Sequence, residues 1–156
     1  MTDAISARLG ALGIVLPTLV APAGNYVPTI LHGGLLWVSG QIAMADGVIK
    51  YAGALGDDCT LEDGVAAARL CGINIIAQAQ AALGGDLSRV TQVVRLNGLV
   101  QAAPGFTQHP TVINGASDLM VDVFGDAGRH TRTAVGMSSL PLNTAVEIDA
   151  ILAVAG

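Results

Sequence analysis

The 156 residues suit one domain, but half are hydrophobic and 12% are charged, against roughly 25% charged in an average soluble domain. A chain of this length buries only about 70% of its unfolded surface, so a membrane or another subunit must cover part of the apolar excess. The formal charge of −5, with Lys50 the single lysine, argues against a nucleic-acid backbone as the main partner, because phosphates demand clustered cations.

Taken in chain order, Thr2 to Leu12 is expected to form a short helix capped by Thr2 or Asp3, with Ile5, Leu9 and Leu12 on one face. Pro17 to Gly24 reads as a loop. Tyr26 to Leu31 and Leu35 to Gly40 read as two strands turned by His32-Gly33-Gly34. Gln41 to Gly53 is a further extended piece, bent at Asp46-Gly47. Thr60 followed by Asp63 has the spacing of a helix cap. The helix after it runs to about Leu83, with Val65, Leu70, Ile73, Ile76 and Ala77 as its apolar stripe, and Gly84-Gly85 ends it. Val90 to Val100 is a strand. Pro104-Gly105 opens a loop, and a second long helix spans Thr111 to Phe124 and stops at Gly125. The last stretch, from Arg132 to Leu152, reads as two apolar strands joined as a hairpin by Leu140-Pro-Leu-Asn143.

This order predicts an α+β fold, a two-layer sandwich with two helices on one face of a mostly antiparallel mixed sheet. The other sheet face is left for subunit contact in a closed homo-oligomer. A membrane is not expected as the covering surface. Pro17, Pro22 and Pro28, with several glycines, break the uncharged run from Leu9 to Ala45, so no helix of about 20 apolar residues survives. The N-terminus, with Asp3 ahead of Arg8, lacks the form of a secretion signal. Cys59 and Cys71 have no partner pattern for zinc or a disulfide framework, and Cys71 reads as a buried apolar residue. Gly33-Gly34 and Gly84-Gly85 are turns rather than phosphate loops, since no Lys-Ser/Thr follows either pair.

The chemistry concentrates at the C-terminal end. Arg132 heads an apolar strand, and arginine presents a planar fork of donors that matches a carboxylate. Glu147 lies between Val146 and Ile148. The working expectation is that Arg132 grips a small acid while Glu147 handles a proton or a water beside it. The competing expectation is an ion pair of Arg132 with Glu147 or Asp149 at a subunit boundary. Strand alternation places Glu147 and Asp149 on one face, opposite Val146, Ile148 and Ala150, which also fits a solvent-facing acidic stripe.

Five pieces occur in a fixed order: Ala21-Pro-Ala-Gly-Asn-Tyr26, Ser39-Gly-Gln-Ile42, the alanine-rich helix, Arg132-Thr-Ala-Val135, and Leu140-Pro with Val146-Glu-Ile148. Together they resemble the Rid family, also called the YjgF or L-PSP family. The resemblance runs from Ala21 to the C-terminus. The chain looks like a longer branch, one Rid-like domain over 1–156 with an added helix and loop over 1–20 and an extended segment from Gln108 to Arg129. The resemblance implies a chorismate-mutase-like fold, a cytoplasmic homotrimer with clefts between subunits, and no metal or organic cofactor. It also implies hydrolysis of 2-imino or enamine acids to 2-oxo acids and ammonia.

Position by position, Arg132 matches the family's carboxylate-holding arginine and Glu147 the glutamate that positions water. Tyr26 and Gly40 match cleft-lining residues, and Asn114 matches an asparagine frequent in active members. Ala134 departs from the pattern, since many members carry cysteine there. His130, beside Arg129 and Arg132, is a candidate for a second anionic group on the substrate, although a lone histidine is more often structural. His32 and His109 read as turn and loop residues. Two alternatives stand beside the deaminase: a trimer that binds small carboxylic acids without turnover, and a ribonuclease, which the charge disfavours.

Overall fold

The computed structural model describes residues 3–22 and 24–156. Helix α1 (Ala4–Ala11) is capped by Asp3, whose carboxylate accepts the Ser6 N–H at 2.8 Å; Thr2, the other candidate cap, lies outside the described residues. Ile5 and Leu9 are buried, and Arg8 Nη1 donates to the Val123 carbonyl at 3.1 Å. The helix is thereby fastened to the backbone at Val123.

Strands β1 (Thr29–His32) and β2 (Leu35–Ile42) form a hairpin whose Gly33 and Gly34 both take positive φ, the backbone that a two-residue turn requires. Tyr26 falls outside this pair. It lies in a bend and is 56% exposed. A small second hairpin, β3 (Met44–Ala45) and β4 (Val48–Ile49), turns at Asp46-Gly47. Asn74, nearly buried, donates to the Ile42 and Met44 carbonyls at 3.0 Å each and holds the corner between β2 and β3.

Helix α2 (Leu61–Ala82) starts where Thr60 Oγ1 accepts the Asp63 N–H at 3.1 Å. It ends where Gly84, at φ 66°, lets the Gly85 N–H reach back to the Gln80 carbonyl. Ala67, Ala68, Cys71, Ile75 and Ala79 share its buried face at helical spacing. Strand β5 (Val90–Gln101) then leads into helix α3 (His109–Phe124), which begins two residues earlier than expected, so His109 is a helix residue and not a loop residue. Pro110 in its first turn costs no intrahelical bond, and Gly125, at φ 65°, stops it.

Strands β6 (Thr131–Met137) and β7 (Val146–Val154) complete a five-stranded sheet in the order β1-β2-β7-β5-β6. The expected final hairpin is therefore wrong. β6 pairs with β5 in parallel at the sheet edge, and β7 inserts between β2 and β5, antiparallel to both. Leu142 and Asn143 take left-handed backbone in the Leu140–Asn143 connection, which passes the end of β5 rather than closing a hairpin. Gln101 pins it from both sides: its Oε1 accepts the Leu140 N–H at 2.8 Å and its Nε2 donates to Asn143 Oδ1 at 2.6 Å. The β5-α3-β6 run is thus a parallel crossover.

Helices α2 and α3 pack on one sheet face over Leu36, Val93, Leu96, Val100, Ile148 and Leu152, all buried. With α1 there are three helices beside the mixed sheet. The opposite face is uncovered in the protomer. It exposes Ile30, Trp37 and Val135 around a polar centre, where Asn97 donates to Asp149 at 2.9 Å and Arg95 donates to Thr133. Among the described residues, no helix is long and apolar enough to cross a membrane.

Helices α2 and α3 cross closely, and a Cβ on Gly115 would overlap the Val65 carbonyl oxygen. Gly115→Ala is expected to lower stability by about 2 kcal/mol or more in denaturant unfolding. Gly10→Ala, which meets open space in α1, should instead be neutral or stabilise by about 0.5 kcal/mol.

Candidate functional site

Arg132 points toward the helix side of the sheet. It is in register with Leu96 of β5, a core residue, and β6 runs beside α3, so its guanidinium meets that helix. Nη1 donates to Asn114 Oδ1 at 2.8 Å and to Ser117 Oγ at 3.0 Å, and Nη2 donates to the Pro110 carbonyl at 3.3 Å. All three acceptors are neutral. Of the five N–H donors of a guanidinium, these bonds use three and leave two. Among the described residues the ion pairs are Lys50–Asp46 and Arg129–Asp126. Within the protomer Arg132 pairs with neither Glu147 nor Asp149; Asp149 is held by Asn97.

His130 completes this cluster from behind. Its Nδ1 lies 2.6 Å from the Gly128 carbonyl and its Nε2 lies 2.9 Å from Ser117 Oγ. A carbonyl only accepts, so Nδ1 carries a hydrogen. In the neutral ring Nε2 then accepts the Ser117 hydroxyl, whose oxygen accepts from Arg132. Both ring nitrogens are occupied, so His130 orients Ser117 and does not offer a second anion contact. Arg129 pairs with Asp126 at 3.6 Å on the surface. The candidate basic trio therefore separates into three different roles.

Glu147 stands on the opposite, uncovered face of the sheet, level with Leu99 and beside Ile42. Within one protomer, then, Arg132 and Glu147 do not adjoin. Glu147 does adjoin Gly40. The ladder of β2 and β7 is irregular between Val38 and Gln41, and a Cβ on Gly40 would overlap the Glu147 carboxylate. The irregularity and the missing side chain together make room for the carboxyl group. The segment preceding β1 is tied in here, because Ser39 Oγ donates to the Val27 carbonyl at 2.8 Å, which brings the neighbourhood of Tyr26 toward Gly40. Partial burial, with Asp149 adding like charge, raises the pKa of Glu147 above that of an ordinary glutamate. Burial also pushes the Cys71 thiol far up, so it is inert.

The candidate residues thus fall into two groups. Arg132, Asn114, His130 and Ala134 lie between β6 and α3; Glu147, Gly40 and Tyr26 lie on or beside the open face. Ala134 sits one pleat beyond Arg132 on the same side, half-buried, in an edge strand whose outer backbone groups have no ladder partner. Ser117 and the Pro110 carbonyl escaped sequence reasoning. Their only signal was helical spacing from Asn114, at i+3 and i−4. Two open concavities of about 470 and 490 Å3 occur elsewhere, and neither is lined by Arg132 or Glu147. Among the described residues no three His, Cys, Asp or Glu side chains are grouped to hold a metal ion.

Comparison with known proteins agrees with this architecture. Residues 6–152 match the family described as "YjgF/chorismate mutase-like, putative endoribonuclease". A Trypanosoma cruzi protein, TCP17, is 48% identical over 149 residues, covering 95% of this chain and 92% of that protein. The crystal structure of Atu1372 from Agrobacterium tumefaciens, a protein of unknown function, superposes with a TM-score of 0.92 at 49% identity, covering 99% of this chain and 94% of that one. RidA from an Antarctic Psychrobacter superposes with a TM-score of 0.59 at 25% identity, covering 86% of this chain and 92% of that one. The chain belongs to the YjgF, or Rid, family.

A carboxyl whose pKa is raised on folding binds more protons folded than unfolded, so stability falls as pH rises through the interval between the two values. Glu147→Gln removes that ionisation. The variant should melt above the wild type at pH 7, and the gap should close as pH falls below the raised Glu147 value. Melting curves at pH 4 to 8 that stay parallel would contradict the assignment.

Proposed function

We propose that the protein hydrolyses 2-imino or enamine acids to 2-oxo acids and ammonia, at sites formed where Arg132 of one protomer faces Glu147 of a neighbour in a homotrimer. The observation that carries this reading is the state of Arg132. Its guanidinium is held by three neutral oxygens, no carboxylate of the chain lies within ion-pair reach among the described residues, and two donors remain. A guanidinium fixed in place and short of a counter-charge is suited to a substrate carboxylate.

The chemistry asked of the site is modest. With the acid end fixed on Arg132, the imine carbon is positioned without further loss of rotational freedom, and such positioning can supply several kcal/mol of the barrier. Water adds to that carbon, a C–O bond forms, and the C=N electron pair moves to nitrogen, which takes a proton. The C–N bond of the resulting carbinolamine then breaks as the C=O bond forms, and ammonia leaves. Glu147 takes the proton from water and passes it to nitrogen during addition, then relays the carbinolamine hydroxyl proton to the leaving nitrogen. Its raised pKa makes it a stronger base than an ordinary glutamate. Gly40 lies against it, Tyr26 is the candidate for the cleft wall, and Ala134 offers backbone and a methyl group at the position of the family's common cysteine.

The opposed placement of Arg132 and Glu147 supports sites shared between protomers. The exposed Ile30, Trp37 and Val135 support assembly through the sheet face. A cytoplasmic, membrane-free and cofactor-free protein follows from the same reading. The cation-poor composition argues against ribonuclease action.

Adding the protein to an amino-acid oxidase reaction should speed ammonia and oxo-acid release. Arg132→Ala should reduce kcat/KM by about 100-fold while light scattering reports an unchanged oligomer. Firm binding of 2-oxobutyrate with no acceleration by the wild type would show a binder instead. Dissociation of the Arg132→Ala variant into monomers would make Arg132 an assembly residue.

A further inference from the structure

The concavity of about 490 Å3 lies just beyond the carboxyl ends of β5 and β6, where Ala103, Phe106, His109, Gly136 and Met137 form its walls and Asp57 and Ser138 its exposed rim. The parallel crossover puts the first turn of α3 above those strand ends, which is where ligands of parallel sheets gather.

Its link to Arg132 runs through the first turn of α3. Arg132, Ala134 and Gly136 alternate along one side of β6, in register with Leu96, Gly98 and Val100. The Pro110 carbonyl accepts from Arg132, and the preceding residue, His109, lies over Gly136. A Cβ at position 136 would stand 2.6 Å from His109 Nε2, so glycine is what leaves the ring its place. One peptide unit of α3, with consecutive Cα atoms about 3.8 Å apart, therefore separates the guanidinium's anchor from the wall of the cleft.

The walls are fixed in advance. Phe106 meets the His109 ring edge-on at 5.2 Å and packs at 3.3 Å from where a Cβ on Gly56 would lie. The loop carrying Ala103 is tied by its N–H to the Leu55 carbonyl at 2.9 Å, and the Leu55 N–H is tied to the Gln101 carbonyl at 2.9 Å. The lining is mostly apolar. It contains no lysine or arginine, and its one carboxylate sits at the rim, so an uncharged or apolar group suits it and a second anionic group does not.

We propose that this cleft receives the side chain of the acid whose carboxylate Arg132 holds, and that the protein therefore prefers 2-imino and 2-oxo acids with branched, thioether or aromatic side chains over the smallest ones. The proposal rests on the reading of Arg132 given above. Titration calorimetry with pyruvate, 4-methyl-2-oxopentanoate and phenylpyruvate tests it without requiring turnover. The two larger acids should bind the wild type at least about tenfold more tightly than pyruvate. Ala103→Phe, which fills the cleft, should erase that advantage and leave pyruvate within about twofold. Ser138→Phe, at the exposed rim, should do the same if Ala103→Phe fails to fold. Equal affinities for all three acids in the wild type, or an equal loss for all three in the variants, would overturn the subsite. Failure of every 2-oxo acid to bind would overturn the Arg132 reading and this one with it. Selective binding without imine turnover would remove the deaminase activity alone and leave the subsite standing.

Discussion

A guanidinium held in place by neutral oxygens is the feature on which the rest of the structure turns. Arg132 is set by two elements that the chain brings together only through a crossover, the edge strand β6 and the helix α3. Asn114, Ser117 and Pro110 spend three of its donors without cancelling its charge. An acidic partner in their place would have neutralised the guanidinium and left nothing for a ligand. His130 extends the arrangement outward, since its own tie to Gly128 sets which way the Ser117 hydroxyl points.

The other half of the candidate site follows a different logic. Gly40 and the irregular ladder at Ser39 open a space on the far side of the sheet, and Glu147 fills it. That carboxyl is kept partly out of water beside Asp149, on a face that also displays tryptophan, isoleucine and valine. A lone protomer thus carries the two halves of the proposed site, the guanidinium and the shielded carboxyl, on opposite sides of one sheet. Burying the apolar face against a second copy is the arrangement that would let the two halves meet.

Much of the fold was legible because its signals are local. The Thr60 cap, the Gly84-Gly85 stop, the Gly33-Gly34 turn and the alternation of β7 each rest on a few neighbouring residues, and each appears where expected. The expected hairpin of β6 and β7 failed because strand pairing is not local. The Leu140–Asn143 connection looks like a turn in sequence, but Gln101, far back in the chain, decides where it goes. Similarly, the motif residues Arg132, Asn114, Glu147 and Gly40 were identified from their order in the chain. Their division between two faces was not, because parallel pairing of β6 with β5 sets which way Arg132 points. Ser117 went unnoticed for the same reason: nothing in a serine inside a helix announces an arginine from a strand 15 residues on.

The central claim, that Arg132 and Glu147 act together from different protomers, is tested most directly by mixing. Arg132→Ala and Glu147→Gln chains, each strongly impaired alone, would be unfolded, combined in equal amounts and refolded, and imine hydrolysis measured on the mixture. If the sites are shared between neighbours, random assembly returns an intact arginine and an intact glutamate to about one quarter of them, and a corresponding fraction of wild-type activity reappears. A mixture as inactive as its parents, although mass spectrometry finds mixed oligomers, would contradict the account.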